Sequence, residues 1–399
     1  MIFTTYWFLL FAVAVIPIYW AARPAGLRLV VLLAACTVFH ARFAGAAGMA
    51  PIIILCVTTY LAGLTRRRWV LDIGIALPVL SLAFYKYTHF LALKVLGCIS
   101  AQYGAHVDAV LTSHLPITPP LGVSFFAFEF VHYLYDVRKG SAPVRNPAHF
   151  WAFTFFYPSL VAGPIKRYQP FLASLRSGLV GVGLDDIKVG LFRVTLGYVK
   201  KVVIADNLTA AIAYWHPRYS ELDVSHRWIF LAALGFRILL DFSGYSDIAI
   251  GFARLMGIRL NENFRWPYLA TSIQDLWRRW HMSLSSWIRD YVYIPLGGSR
   301  HGLLRKACNG LVAFGLCGLW HGPDWNFVLW GLWHGAGLAV NGTYRQAGGS
   351  AGELVHRALT AVPAVSWFVT MLFIGIAWLI FFYPVPECFA MIRLLFVSR

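Results

Sequence analysis

Apolar runs follow one another along this chain, separated by short stretches in which arginine, glycine and proline collect. The first four cover residues 1–22, 28–45, 49–64 and 69–99, the last being either two shorter passes or one kinked at Pro78. Others cover 121–137, 149–163, 228–257, 308–341 and 360–396. Crossing a ~30 Å hydrocarbon core takes ~20 apolar residues, and the chain offers roughly nine to eleven spanning or half-spanning segments. The pattern predicts an all-α, polytopic membrane helical bundle, read as one domain over 1–399.

Four stretches depart from that pattern. From Ile99 to Pro120 polar residues mix with prolines, which predicts an outward or interfacial loop. From Leu184 to Leu208, Lys188, Arg193, Lys200 and Lys201 alternate with aliphatic residues. Either a basic helix on the membrane surface or a plain connecting helix fits. The run 228–257 is interrupted by Asp241, Ser243, Tyr245, Ser246 and Asp247. Its two carboxylates cannot face lipid, so they pair with an arginine such as Arg237 or Arg254, or line a wet cavity. Residues 271–298, rich in Trp and Arg, are too charged to cross and are expected to be re-entrant or interfacial.

Composition sharpens this picture. Of 399 residues, 59% are hydrophobic and 13% charged, and mean hydropathy is +0.64. A soluble domain is nearer a quarter charged. The net charge of +17 is spread over short loops, which suits the positive-inside bias better than a nucleic-acid site. Arg23, Arg28 and the run Arg66 to Arg68 follow the first and third apolar segments, while the loop expected from Arg42 to Met49 carries a single Arg. An outward-facing N-terminus is expected from that asymmetry. The first 22 residues lack a basic leader and read as a retained first helix. Six scattered cysteines show neither a disulfide framework nor a zinc spacing.

Chemistry concentrates near the end of the chain. Trp320-His321-Gly322 recurs thirteen positions later as Trp333-His334-Gly335, inside an apolar stretch. An ionisable group at membrane depth is costly and marks a candidate functional site, and histidine alone titrates unperturbed near neutrality. Pro323 suits the first position of a helix, whose positive end would keep His321 neutral, the form a general base needs. His281 in Trp280-His281-Met282 is expected to orient or polarise a reacting group. His334, by its spacing, need not meet His321. His132 has the weakest case. No Gly-x-Ser-x-Gly elbow, P-loop or dinucleotide fingerprint is present, so a histidine base that activates a substrate hydroxyl is favoured over covalent serine catalysis or nucleotide hydrolysis.

Read in order, seven strings resemble the membrane-bound O-acyltransferase family, in particular its bacterial alginate O-acetylation branch. They run over 121–128, 157–165, 197–207, 241–247, 261–268, 277–283 and 318–322, within a core of about 119–340. The resemblance implies helices folded around a funnel or tunnel, with the acyl donor entering from the cytoplasm and the acceptor from outside. It implies that His321 matches the catalytic histidine and His281 the second conserved polar position. Asp324 departs from the pattern, which more often has an uncharged residue there, and the chain is shorter than a typical member of that branch.

The expected function is transfer of an acyl group, acetyl first, from a cytoplasmic thioester to a hydroxyl of a cell-surface polysaccharide or related acceptor, in the bacterial inner membrane. The catalytic candidates are His321 and His281. Candidate substrate-binding residues are Asp241, Ser243, Tyr245, Trp277, Trp280, Trp320, Asp324, Lys200 and Lys201. No metal or resident cofactor is expected; acetyl-CoA or an acyl-carrier thioester enters as substrate. Membrane lipid, that donor and a periplasmic acetyltransferase or polysaccharide-export protein are the expected partners. The alternatives are D-alanyl transfer for teichoic acid and, in another class, a transporter using Asp241, Asp247 and His321 as a pathway, for which the internal repeats such transporters carry are not seen.

Overall fold

The computed structural model describes residues 2–115, 118–161 and 163–397. Pro116 and Ile117 of the expected loop, and Ala162 of the string 157–165, lie outside the described residues. Among the described residues every regular element is helical, and the chain forms two compact units.

The first unit is Met1–Val199 with Gly244–Asn261. It contains α1 (Tyr6–Ala21), α2 (Ala25–Thr65), α3 (Arg68–His89), α4 (Ala101–His114), α5 (Val123–Arg138), α6 (Pro147–Thr154), α7 (Tyr168–Val180) and α8 (Leu184–Tyr198). α2 runs for 41 residues, about 60 Å at 1.5 Å per residue and twice a bilayer core. Gly45, at φ 66°, breaks its path. The loop expected from Arg42 to Met49 is therefore a one-residue break, because a glycine reverses φ without a Cβ penalty while small residues on both sides stay helical. α3 passes through Pro78 without stopping and continues as a π-helix at Phe90–Val95. The expected loop at 99–120 is corrected as well: Ser100 caps α4 by accepting from the Tyr103 N–H at 3.2 Å, and a helix forms over 101–114.

An aromatic core fills this unit, with Phe3, Phe8, Phe39, Tyr157 and Phe252 all buried. Three of its ion pairs are buried or half-buried. Lys166 meets Glu129 at 2.5 Å, Arg193 meets Asp247 at 2.7 Å and Arg254 meets Asp186 at 2.9 Å.

The second unit is Lys200–Ser243 with Glu262–Arg399. It holds α9 (Asp206–Trp215), the first part of α10 (Val224–Leu255), the short α11 (Ile273–Trp277) and α12 (Met282–Ile288), then α13 (Gly302–His321), α14 (Trp325–Ala347), α15 (Gly349–Ala361), α16 (Pro363–Phe382) and α17 (Val385–Leu394). α13 and α14 cross with almost nothing between them. A Cβ on Gly318 would lie 2.1 Å from the Phe327 carbonyl oxygen, and one on Gly331 would lie 2.2 Å from that of Phe314. Such small-residue crossings bring helix backbones together where no hydrophobic drive separates protein from lipid. Buried Arg227 donates to the carbonyls of Tyr219, Ser220, Leu394 and Val397, which ties the end of α17 to the start of α10.

Among the described residues four helical stretches are long and apolar enough to cross a membrane: Ala25–Thr65, Arg68–Cys98, Val224–Leu255 and Pro363–Phe382. The remaining apolar runs make shorter or more polar helices; α1, at 16 residues, reaches about 24 Å. The protein is a multi-pass, all-helical membrane protein.

Candidate functional site

The second unit gathers most of the candidate residues around two helix ends. His321 is the last residue of α13, and its ring meets Trp320 at 4.8 Å, Trp330 at 5.0 Å and Phe381 at 5.2 Å, each edge to face. Pro323 does not open α14. Asp324 is the N-cap, its Oδ1 accepting from the Trp325 N–H at 2.7 Å, and Pro323 precedes it. The expected helix start beside His321 is corrected accordingly: the histidine closes one helix, and the next is capped by a carboxylate. Gly322 makes room for Phe327, whose ring a Cβ there would strike at 2.0 Å.

His281 is the N-cap residue of α12 at φ 43°, a left-handed conformation uncommon for a residue with a Cβ. The turn is held from the stretch before α11, where Arg265 N–H donates to the Arg279 carbonyl and Met282 N–H to the Asn263 carbonyl, both at 2.9 Å. His281 is 1% exposed. Its Nδ1 lies 3.2 Å from Asn263 Oδ1, and its ring stands edge to face with Phe242 at 4.6 Å. Trp320 stands between the two histidines, 6.2 Å from the His281 ring and 4.8 Å from that of His321. Burial holds the His281 imidazole well below its ordinary value, and the charge of His321 acts in the same direction.

Trp277 donates through Nε1 to His334 Nδ1 at 3.3 Å. An indole N–H only donates, so His334 carries its proton on Nε2. Trp330 packs on both His321 and His334, at 5.0 and 4.7 Å. The two Trp-His-Gly copies thus meet through an intervening tryptophan, on two separate helices. Trp280 stacks on Tyr268 and packs on Trp378. His132, in the first unit, is buried and bonds back to the Phe128 carbonyl at 3.0 Å, a packing arrangement.

The carboxylates of α10 pair differently from expectation. Asp241 is bound by Lys201 at 2.8 Å and Asp247 by Arg193, whereas Arg237 donates to Thr209 Oγ1 and Arg254 pairs with Asp186. The arginines named as possible partners lie on α10 itself, whereas the observed partners come from the neighbouring helical run. Lys201 also binds Asp206. Burial works against its charge, and the two carboxylates outweigh that and raise its pKa. Of the cations in the stretch 184–208, Arg193 and Lys201 thus lie in ion pairs. Ser243 is buried, and Tyr245 packs on Phe3 in the first unit.

A cavity of about 1060 Å³ opens within the second unit. Trp277 and Met282 line it on one side; Arg278, Arg289, Lys306 and Arg345 supply cations. These cations are a set separate from those of the stretch 184–208. Among the described residues no three His, Cys, Asp or Glu side chains converge as a metal would require.

Sequence reasoning missed Asn263, Trp330 and Phe381. Asn263 stands in the quoted string 261–268, yet nothing in its spacing shows that it reaches residues 18 to 20 positions further on.

A multi-pass helical membrane protein with two histidines bracketing a tryptophan at the end of the 20-residue α13 defines the class. The chain belongs to the membrane-bound O-acyltransferase family, whose model matches residues 122–384. It is similar to a probable alginate O-acetylase of Azotobacter vinelandii, at 35% identity over 316 residues, covering 79% of this chain and 60% of the relative. A peptidoglycan O-acetyltransferase of Helicobacter pylori is 33% identical over 342 residues, covering 79% of this chain and 62% of the relative. A teichoic acid D-alanyltransferase of Bacillus subtilis is 26% identical over 251 residues, covering 59% of this chain and 64% of the relative. The chain spans about three fifths of the length of these curated relatives.

Proposed function

We propose that this protein moves an acetyl group from a cytoplasmic thioester to a hydroxyl of a cell-surface polysaccharide such as alginate or peptidoglycan. His321 takes the hydroxyl proton as the oxygen attacks the thioester carbonyl carbon. A C–O bond forms, the C–S bond breaks, and the proton passes to the departing thiolate. The observation that carries this reading is the grouping of His321, Trp320 and His281 in the unit that also holds the cation-lined cavity. Arg278 and Lys306 suit the phosphates of coenzyme A or of a carrier-bound pantetheine, while Arg289 and Arg345 are paired with Asp290 and Glu353. The similarity to named O-acetylases supports acetyl as the group transferred. Family membership leaves the transporter reading without support.

The test is the purified protein with labelled acetyl-CoA and alginate or peptidoglycan fragments. Thioester cleavage with label on the polymer is expected; label that remains wholly in acetyl-CoA would overturn the reading. The similarity to a teichoic acid D-alanyltransferase keeps D-alanyl transfer as a second reading, decided by a D-alanyl carrier-protein thioester in the same assay.

The proposal treats 1–399 as one integral-membrane domain of the bacterial inner membrane, its helices arranged around a funnel, with an outward N-terminus and a periplasmic acetyltransferase or export protein as partner. A cysteine placed at residue 25 should then react only with reagents that reach the cytoplasm; labelling from outside would reverse the orientation.

A further inference from the structure

Asn263 is fully buried, and its Oδ1 is the meeting point of three groups: the Ser283 N–H at 3.2 Å, Ser283 Oγ at 2.9 Å and His281 Nδ1 at 3.2 Å. A backbone N–H can only donate, which fixes the amide with its oxygen toward this cluster. His281 Nδ1, facing the same oxygen, must then carry a hydrogen. In the neutral ring the other nitrogen, Nε2, is left with a lone pair and no hydrogen. That Nε2 is buried and has no hydrogen-bond partner among the described residues. Buried polar atoms are nearly always satisfied, so an orphaned acceptor beside Trp320 asks for a donor from a ligand.

Resting on the acyl-transfer reading above, we propose that Asn263 is a positioning residue that makes His281 a hydrogen-bond acceptor, so that His281 serves the hydroxyl side of the reaction. A neutral ring in this tautomer has no hydrogen at Nε2 with which to polarise a thioester carbonyl. Of the two roles open to His281, orienting the reacting hydroxyl or polarising the carbonyl, the geometry selects the first. A neighbouring donor on the acceptor, such as a second sugar hydroxyl, would donate to Nε2 and so orient the nucleophilic oxygen, whose own hydrogen His321 takes. The strained φ of His281 and the paired backbone bonds at 263–265 and 279–282 hold the ring at this angle.

The test has an arm independent of activity. Nitrogen-15 spectra of histidine-labelled protein in lipid, with the His281 signals assigned by their loss in His281→Gln, should show Nδ1 protonated and Nε2 bare. Protonation at Nε2 overturns the proposal whatever the protein's substrate. Asn263→Ala should release the tautomer and cut kcat for acetyl-CoA cleavage by about 10², with donor KM little changed. Asn263→Asp keeps the acceptor and should keep the tautomer, which serves if the alanine variant does not fold. Its carboxylate would favour the charged ring, so the acid limb of the kcat profile should move to higher pH. His281 meets Phe242 from α10, Phe264 and Asn263 from the preceding loop and Trp320 from α13, and the titratable group whose charge bears on it is His321. An acid limb unmoved in Asn263→Asp overturns the proposal. Wild-type protein inert toward every thioester would overturn the acyl-transfer reading while leaving the tautomer assignment standing.

Discussion

In the first unit Lys166 lies against Glu129, and Arg193 and Arg254 lie against Asp247 and Asp186. In the second, His281 and His334 are held by Asn263 and Trp277, which carry no charge. Both arrangements pair polar groups in an apolar surround, but the second leaves the Nε2 of each histidine without a hydrogen-bond partner among the described residues. Neither member of a buried ion pair can change protonation without stranding the other's charge, at a cost of several kcal/mol. A neutral partner leaves more freedom: His281, whose Nδ1 donates to Asn263, can still take a proton at Nε2 without stranding a charge on that partner. The first arrangement fixes a scaffold; the second leaves room for chemistry.

The sharpest way to break this contrast is His321→Ala. If the second unit carries the reaction, turnover should fall by about 10² or more while detergent stability stays near wild type. Wild-type turnover in a well-folded variant would remove the base. Next comes Lys166→Met, which strands a buried carboxylate and should lower stability by about 3–5 kcal/mol, read as a drop in the melting temperature. Pairing it with Glu129→Leu should restore most of the loss. A single variant that melts like wild type would mean the ion pair does not hold the first unit. The smallest effect is expected from Trp277→Phe, which keeps an aromatic ring but loses part of the indole and its N–H donor to His334. Stability should fall by about 1 kcal/mol with little change in kcat. A fall in kcat as large as that of His321→Ala would put His334 among the reacting groups and redraw the comparison.

Much of this site could be read from residue order. An ionisable side chain in an apolar run is expensive wherever the run folds, so Trp320-His321-Gly322 stood out without any knowledge of its neighbours. The polar stretch 271–298 was legible for the same reason: its charge density forbids a crossing, and the structure forms short helices there. What stayed hidden depends on pairing across distance. Asn263 gains its role only because a turn sets it against His281 and Ser283. The partners of Asp241 and Asp247 lie on another helical run, and an arginine on the same helix was the more local choice. The stretch from Arg42 to Met49 looked like a loop because small residues are permissive; only the backbone angle at Gly45 shows where the helix yields.

The glycine crossing of α13 and α14 bears on how such a site changes over evolutionary time. His321 lies one turn beyond Gly318, and Trp330 adjoins Gly331, so the spacing of histidine and tryptophan is set by two touching backbones. A side chain swapped on either helix cannot widen that gap by shrinking, since no side chain fills it. Phe381 on α16, 5.2 Å from the His321 ring, is a side chain in its own right and can be trimmed without disturbing the crossing. Drift in the size of the accepted group is therefore expected to be written at position 381, with the α13 and α14 glycines left in place.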